Sequence, residues 1–185
     1  EIHFSRLWQG DWERALRKMK AGGVNVVSTY VFWNHHEARE GVFDFSARRN
    51  LRRFIRLCGQ IGLYAIVRVG PFCHGEARNG GLPDWLYGKP FEVRESNAGF
   101  LACVRLWYRR VAAELRGLWY GQGGPIIAAQ LDNEYMHSAA PWERTAGSTN
   151  EWLPSGSEGD AYLLNLLSIA REEGFQAPFY TCTGW

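Results

Sequence analysis

The sequence predicts an α/β fold, a (β/α)8 TIM barrel that is incomplete here, with about its first five strands present. Three observations predict it. Short apolar runs of strand character alternate with segments whose apolar residues recur at helical spacing, the pattern of a parallel sheet with helices outside it. Glycines precede the strand runs at matching places, at Gly22, Gly62, Gly124 and Gly174. Polar and aromatic residues burst out directly after the carboxyl ends of the runs, the end of a parallel strand that carries functional sites. A doubly wound sheet would need a glycine-rich phosphate-binding turn after a strand, and none is present. The alternation stops after a strand, where a helix should follow, so residues 1–185 read as the N-terminal portion of a larger barrel domain.

The elements follow in order. Ile2-His3-Phe4 has the composition of a short strand, and Asp11 is placed to cap a helix carrying Trp12, Ala15, Leu16 and Met19 on one face. Gly22-Gly23 ends that helix. Val24 to Phe32 is rich in β-branched and aromatic residues, a second strand, followed by Trp33, Asn34, His35, His36 and Glu37. Ser46 is placed to cap a helix with Leu51, Phe54, Ile55 and Cys58 on its face, closed by Gly59 and Gly62. Leu63 to Val69 is the third strand, interrupted by Arg68. Gly70-Pro71 then opens a loop, Phe72 to Gly81, long enough to suggest function. Asn97 caps a long helix bearing Leu101, Val104, Tyr108, Val111, Ala112 and Leu115, which Gly117 ends. After the strand launched by Gly123-Gly124-Pro125, Met136 to Gly159 reads as a second long loop. Asp160 caps a helix carrying Leu163, Leu166, Leu167 and Ala170, and Phe179 to Thr183 is the fifth strand.

With 185 residues, 46% of them hydrophobic, the chain can bury one real core. A net charge of +2 implies neither a nucleic-acid surface nor an acidic tail. Arg48, Arg49, Arg52, Arg53 and Arg56 share a segment with an apolar stripe and read as its solvated face. No apolar run approaches a membrane span. The chain begins at Glu1 without a signal-peptide pattern, which leaves secreted, periplasmic and cytoplasmic locations all open, and the sequence carries no reading of oligomeric state. The four cysteines, Cys58, Cys73, Cys103 and Cys182, are widely spaced and read as free thiols. Nine tryptophans are mostly core, although rings at strand ends suit the apolar faces of a sugar.

The stretch from Gly123 to Tyr135 organises the rest. A Gly-Gly-Pro break launches Ile126-Ile127-Ala128-Ala129, a run that reads as a strand buried on both faces. It ends abruptly in Asp132-Asn133-Glu134-Tyr135. Glu134 is thereby a candidate catalytic acid and Asn133 a candidate substrate-orienting amide. Position alone equally allows Asp132-Asn133 to cap a turn and Glu134 to be solvated. Tyr30 and Glu76 are candidate hydroxyl-binding groups, with a core tyrosine and a surface carboxylate as their plain alternatives. Trp33, Asn34, His36 and Glu37 read as a supporting network, and Arg68 as a buried cation paired with a rim carboxylate. His3, His35, His36, His74 and His137 raise metal-dependent hydrolysis as a rival, but no His-x-His or His-Glu-x-x-His occurs and no metal or cofactor is assigned.

Taken together, these residues resemble glycoside hydrolase family 35, the β-galactosidases, over essentially the whole chain. Ile2-His3-Phe4-Ser5-Arg6 is similar to the family's opening strand, and Thr29 to Asn34 with His36-Glu37 to its second. Arg68-Val69-Gly70-Pro71-Phe72, Gly75-Glu76 and Gly80 to Leu86 resemble the third strand and its loop. Gly123 to Ile127, Gln130 and Asn133-Glu134-Tyr135 resemble the fourth. The resemblance implies a retaining glycosidase that removes terminal β-galactose without a cofactor. It assigns the acid/base role to Glu134 and sugar contacts to Tyr30, Gly75 (through its backbone), Glu76 and Asn133. The family's nucleophile, a Glu at the end of the seventh strand, has no counterpart in these 185 residues, which alone are expected to be inactive. Three positions depart from the pattern: Ala77 where Trp is frequent, His74 where a small or sulfur-bearing residue is usual, and Met136 where Gly is usual. They lie near the expected pocket wall. A non-catalytic β-galactoside-binding protein, or a glycosidase of the same clan with another sugar specificity, remains the alternative.

Overall fold

The structure is a computed structural model and describes residues 1–74, 76–135, 144–146, 152–154 and 160–182. Its centre is a parallel four-stranded sheet in the order β1-β2-β3-β6, made of β1 (Val26–Tyr30), β2 (Tyr64–Gly70), β3 (Ile126–Leu131) and β6 (Phe179–Tyr180). Between these strands run α1 (Trp12–Ala21), which precedes β1, α2 (Trp33–His36), α3 (Leu51–Ile61), α4 (Ala98–Leu115) and α5 (Asp160–Glu172). β4 (Arg144–Ala146) and β5 (Trp152–Pro154) pair antiparallel as a separate two-stranded ribbon, within the segment expected to be a loop. In the main sheet Tyr30 pairs in register with Arg68, and Arg68 with Gln130, so the carboxyl ends of β1, β2 and β3 reach one rim together. Among the described residues, no helix is long and apolar enough to cross a membrane.

The helices form for the reasons legible in sequence, with corrections at their starts. Leu51, Phe54, Ile55 and Cys58 are all buried on α3, as their spacing requires. The cap of α3 is Asn50, whose side chain accepts the Arg53 N–H; Ser46 instead donates its hydroxyl to Asp44 and precedes a separate 3-10 turn. Gly59 lies inside α3, and Gly62, with φ +78°, is the residue that stops it. Asp11 leads α1 but does not cap it, because its carboxylate pairs with Arg14 at 2.7 Å. Asn97 does cap α4, accepting the Gly99 N–H. A Cβ on Gly124 would overlap the Leu118 carbonyl, which is why the break before β3 needs glycine.

The expected first strand is not one. Ile2 donates a single backbone hydrogen bond to Ser28, and Phe4–Arg6 then curls into a 3-10 turn. Phe4 leaves the sheet because its ring is taken by the core, against Trp12 and Phe54 at 6.0 and 5.5 Å between centroids. β3 is also less enclosed at its start than expected: Ile127 and Ala128 are only half-buried. Two anchors from α4 fix the end of β2. Trp107 donates its indole N–H to the Val69 carbonyl, and Tyr108 its hydroxyl to that of Gly70.

His35 and His36 lie on α2 rather than on a strand, so the alternation expected to separate them does not apply. His36 is buried, stacked on Phe45 at 4.3 Å, with Nδ1 against the Asp44 carbonyl. Burial lowers its pKa to about 4, opposed by that backbone contact. The unfolded chain takes up this proton near pH 6.5, while the folded chain refuses it until about pH 4. The contribution to stability is therefore whole above pH 6.5 and is lost as the pH falls towards 4, to the extent of about 3 kcal/mol. NMR titration of the imidazole is expected to find His36 neutral down to about pH 4; a transition near 6.5 would contradict its burial as an uncharged ring.

Candidate active site at the carboxyl rim of the sheet

The segments after β1, β2, β3 and β6 meet at one rim, and four of the five residues expected to form a site fall there. Tyr30 closes β1, Asn133 and Glu134 follow β3, and Glu76 lies in the loop after β2. Gly75, expected to contact sugar through its backbone, lies outside the described residues, as do Met136 and His137.

Asn133 is the hub. It is 1% exposed, and its Oδ1 lies within reach of four donors. Arg68 Nη2 stands at 2.6 Å, Gln130 Nε2 at 2.9 Å, Cys182 Sγ at 2.9 Å and Tyr30 Oη at 3.4 Å. That is more than the two lone pairs of an amide oxygen can serve, so the oxygen is committed to the protein and the amide orientation is fixed. Its Nδ2 is left buried without a partner among the described residues. A buried donor with no acceptor costs about 1–3 kcal/mol until something accepts from it.

Tyr30 is held by a stack. The Arg68 guanidinium covers its ring at 3.8 Å, and His3 packs against it at 4.8 Å. Burial raises the Tyr30 hydroxyl above its ordinary pKa, opposed by the Arg68 charge, so it stays a neutral donor. Arg68 pairs with the Glu1 carboxylate, the rim partner its place inside a strand required.

Beneath Asn133 lies a buried ion pair that sequence reasoning did not find. Arg94 reaches Asp132 Oδ1 through Nε at 3.0 Å and Nη2 at 2.6 Å, with the two side chains 1% and 0% exposed. The same Asp132 oxygen accepts the Asn133 N–H at 2.8 Å, and Arg94 also donates to the Asn133 carbonyl. Tyr162 of α5 donates to the other Asp132 oxygen at 3.0 Å. The pair thus grips both sides of the Asn133 peptide unit. Asp132 and Glu134 both have left-handed backbones, φ 52° and 51°, a conformation that costs of order 1–3 kcal/mol per non-glycine residue and persists only where surroundings impose it. Asp132 is therefore a turn-former of a specific kind: its carboxylate shapes the turn while neutralising a buried arginine.

Glu134 projects from this turn. Its N–H is fixed to the Cys182 carbonyl at 3.0 Å, while its side chain is 42% exposed. His74 stands between the two site carboxylates, with Nδ1 in ion-pair contact with Glu76 and Nε2 at 3.7 Å from Glu134. For Glu76, burial acts to raise the pKa, but its own backbone N–H and His74 outweigh it and hold the carboxyl below its usual value. Glu76 and His74 line a depression of about 250 Å³ together with Glu1, His3, Arg6 and Tyr30. Among the described residues, no group of three His, Cys, Asp or Glu side chains is arranged to hold a metal ion.

The network expected after β1 supports the loop after β2 and does not enter the depression. Trp33 donates to Glu37 at 2.6 Å, Asn34 to the Arg78 carbonyl at 3.0 Å, and Trp85 to the Glu37 carbonyl at 3.0 Å. All four cysteines are free, and Cys182 is the one whose thiol reaches the site.

Comparison with known proteins identifies the family and the fold. Residues 1–155 match the profile of glycosyl hydrolases family 35. The chain is 38% identical over 154 residues to beta-galactosidase 11 of Oryza sativa subsp. japonica, covering 82% of this chain and 18% of that protein. It is 42% identical over 135 residues to human beta-galactosidase-1-like protein 2, covering 72% and 21%. The same identity over the same length relates it to the beta-galactosidase of Bos taurus. The chain thus spans about a fifth of the length of these curated relatives. Among solved structures, it superposes on the exo-beta-1,4-mannosidase Op5Man5 of Opitutaceae bacterium strain TAV5 with a TM-score of 0.68 at 18% identity, over 94% of this chain and 28% of that one. A GH5_18 protein of Bifidobacterium longum subsp. longum gives 0.65 at 19%, over 95% and 41%. The fold is accordingly that of the (β/α)8 barrel, with β1, β2, β3 and β6 as an arc of it. The chain belongs to glycosyl hydrolases family 35.

Proposed function

We propose that the protein carrying this chain is a retaining glycoside hydrolase that releases terminal β-galactosyl residues, with Glu134 as general acid/base. The observation that supports it most is the convergence at one rim of a carboxyl group, a second carboxylate and an unpaired buried amide donor: Glu134, Glu76 and Asn133 Nδ2. A glycosidic oxygen leaves poorly until it is protonated. Glu134 gives its proton to that oxygen as the bond to the anomeric carbon breaks, and a second carboxylate attacks that carbon from the opposite face. Glu134, now ionised, takes a proton from the water that releases the sugar. Retention places the two carboxyl groups about 5–5.5 Å apart. The nucleophile is proposed to lie outside residues 1–185, which are in turn proposed to be the N-terminal portion of the catalytic barrel.

In this proposal the donors around Asn133 are the recognition machinery. Arg68, Gln130 and Tyr30 hold its oxygen, so that Nδ2 donates to a sugar hydroxyl, and Glu76 accepts from others. A site that buries polar groups for a particular hydroxyl rejects sugars lacking it strongly. The test is hydrolysis of an aryl β-galactoside by the whole protein, followed by NMR. Release of β-galactose as the first-formed anomer is expected. The α anomer first, or no galactose release, would contradict the proposal.

A further inference from the structure

His74 is one of two positions, with Ala77, at which this loop departs from the expected pattern, and its ring lies between two carboxylates. Its ring nitrogens face two different carboxylates, Glu76 through Nδ1 and Glu134 through Nε2. An imidazole with a carboxylate against one ring nitrogen presents its other nitrogen on the opposite side of the ring, towards a second group. Here the carboxylate at Nδ1 is the one proposed for sugar recognition and the carboxylate facing Nε2 the one proposed for proton transfer.

The surroundings favour such a coupling. Glu76 is tied to the wall of the depression, since Arg6 donates to its backbone carbonyl at 3.2 Å and Arg6 itself lies over the Phe32 ring at 5.3 Å. Glu134 has a fixed backbone, through the Cys182 carbonyl and its left-handed φ, but a side chain that is 42% exposed. At 3.7 Å, His74 Nε2 is near enough to orient that carboxyl and too far to lock it in a direct hydrogen bond.

We propose that His74 is a positioning residue that transmits the placement of Glu76 to Glu134, so that a sugar seated on Glu76 sets the direction from which Glu134 meets the glycosidic oxygen. The inference rests on the acid/base role proposed for Glu134. A carboxyl misdirected by about an ångström costs on the order of 10²-fold in rate, so the link is large enough to measure.

The test compares His74→Ala, His74→Gln and Glu134→Gln in the whole protein, on alkyl β-galactosides and on activated aryl β-galactosides, with binding of a galactose-mimicking inhibitor measured alongside. His74→Ala is expected to lose on the order of 10- to 100-fold in kcat on the alkyl substrates, and several-fold less on the aryl ones, because departure of an activated phenol needs little protonation. His74→Gln, which keeps a polar amide beside the two carboxylates, is expected to recover part of the loss. Equal losses on both substrate classes would assign His74 to folding of the loop and overturn the inference, as would a loss confined to inhibitor affinity and KM. If Glu134→Gln shows the leaving-group dependence while His74→Ala does not, this inference alone falls. If Glu134→Gln shows none, the acid/base assignment falls and takes this inference with it.

Discussion

Glu134→Gln is expected to lower the rate on alkyl β-galactosides by on the order of 10²–10⁴-fold. The amide keeps the shape of the side chain but has no proton of suitable acidity to give the leaving oxygen. The loss should shrink steeply as the leaving group improves, because the first step then proceeds unaided while release of the sugar becomes limiting. Steady-state kinetics over a series of leaving groups measures this. A uniform loss across the series would mean that Glu134 shapes the site without transferring the proton.

The second large effect is expected at the buried ion pair under Asn133. Asp132→Ala leaves the Arg94 guanidinium without its partner in a site where both side chains are essentially inaccessible. Breaking such a pair costs about 3–5 kcal/mol, because the remaining charge is neither solvated nor compensated. It also removes the acceptor for the Asn133 N–H and for the Tyr162 hydroxyl. Urea denaturation should show a stability loss of that size. The paired change Arg94→Met with Asp132→Asn should cost less, since no cation is stranded and asparagine both tolerates the left-handed backbone and keeps an acceptor oxygen. The double variant should nevertheless lose activity, because the Arg94 donor to the Asn133 carbonyl is gone. A stability loss under about 1 kcal/mol for Asp132→Ala, or full activity in the double variant, would show that the pair neither supports the turn nor positions the site.

Tyr30, Asn133 and Glu134 stand out in the sequence because of how parallel sheets are built. An apolar run that turns polar at its carboxyl end is visible in one dimension, and the parallel sheet brings those ends together without further information. The faces of α3 and α4 were legible for a similar reason, since 3.6-residue periodicity is local. Arg94 and Tyr162 were not. They lie 38 and 30 residues from Asp132, in segments whose sequence carries no sign of a common partner, and only the packing of α5 and of the segment before α4 brings them to it. The Phe4 turn was missed because Ile2-His3-Phe4 has strand composition, while its aromatic ring is claimed by Trp12 and Phe54. In sequence His74 is legible only as a departure from the expected pattern. Its place between two carboxylates needed coordinates.

The assignment of Glu134 is tested most directly by trapping the sugar. In a retaining enzyme without its acid/base, the covalent glycosyl intermediate forms from an activated aryl substrate and then waits for a nucleophile that needs no deprotonation. Azide is such a nucleophile. Adding it to Glu134→Gln in the whole protein should accelerate turnover of an activated aryl β-galactoside and yield β-galactosyl azide, the β configuration reporting two inversions at the anomeric carbon. No acceleration and no azide adduct would contradict Glu134 as the acid/base of a retaining glycosidase.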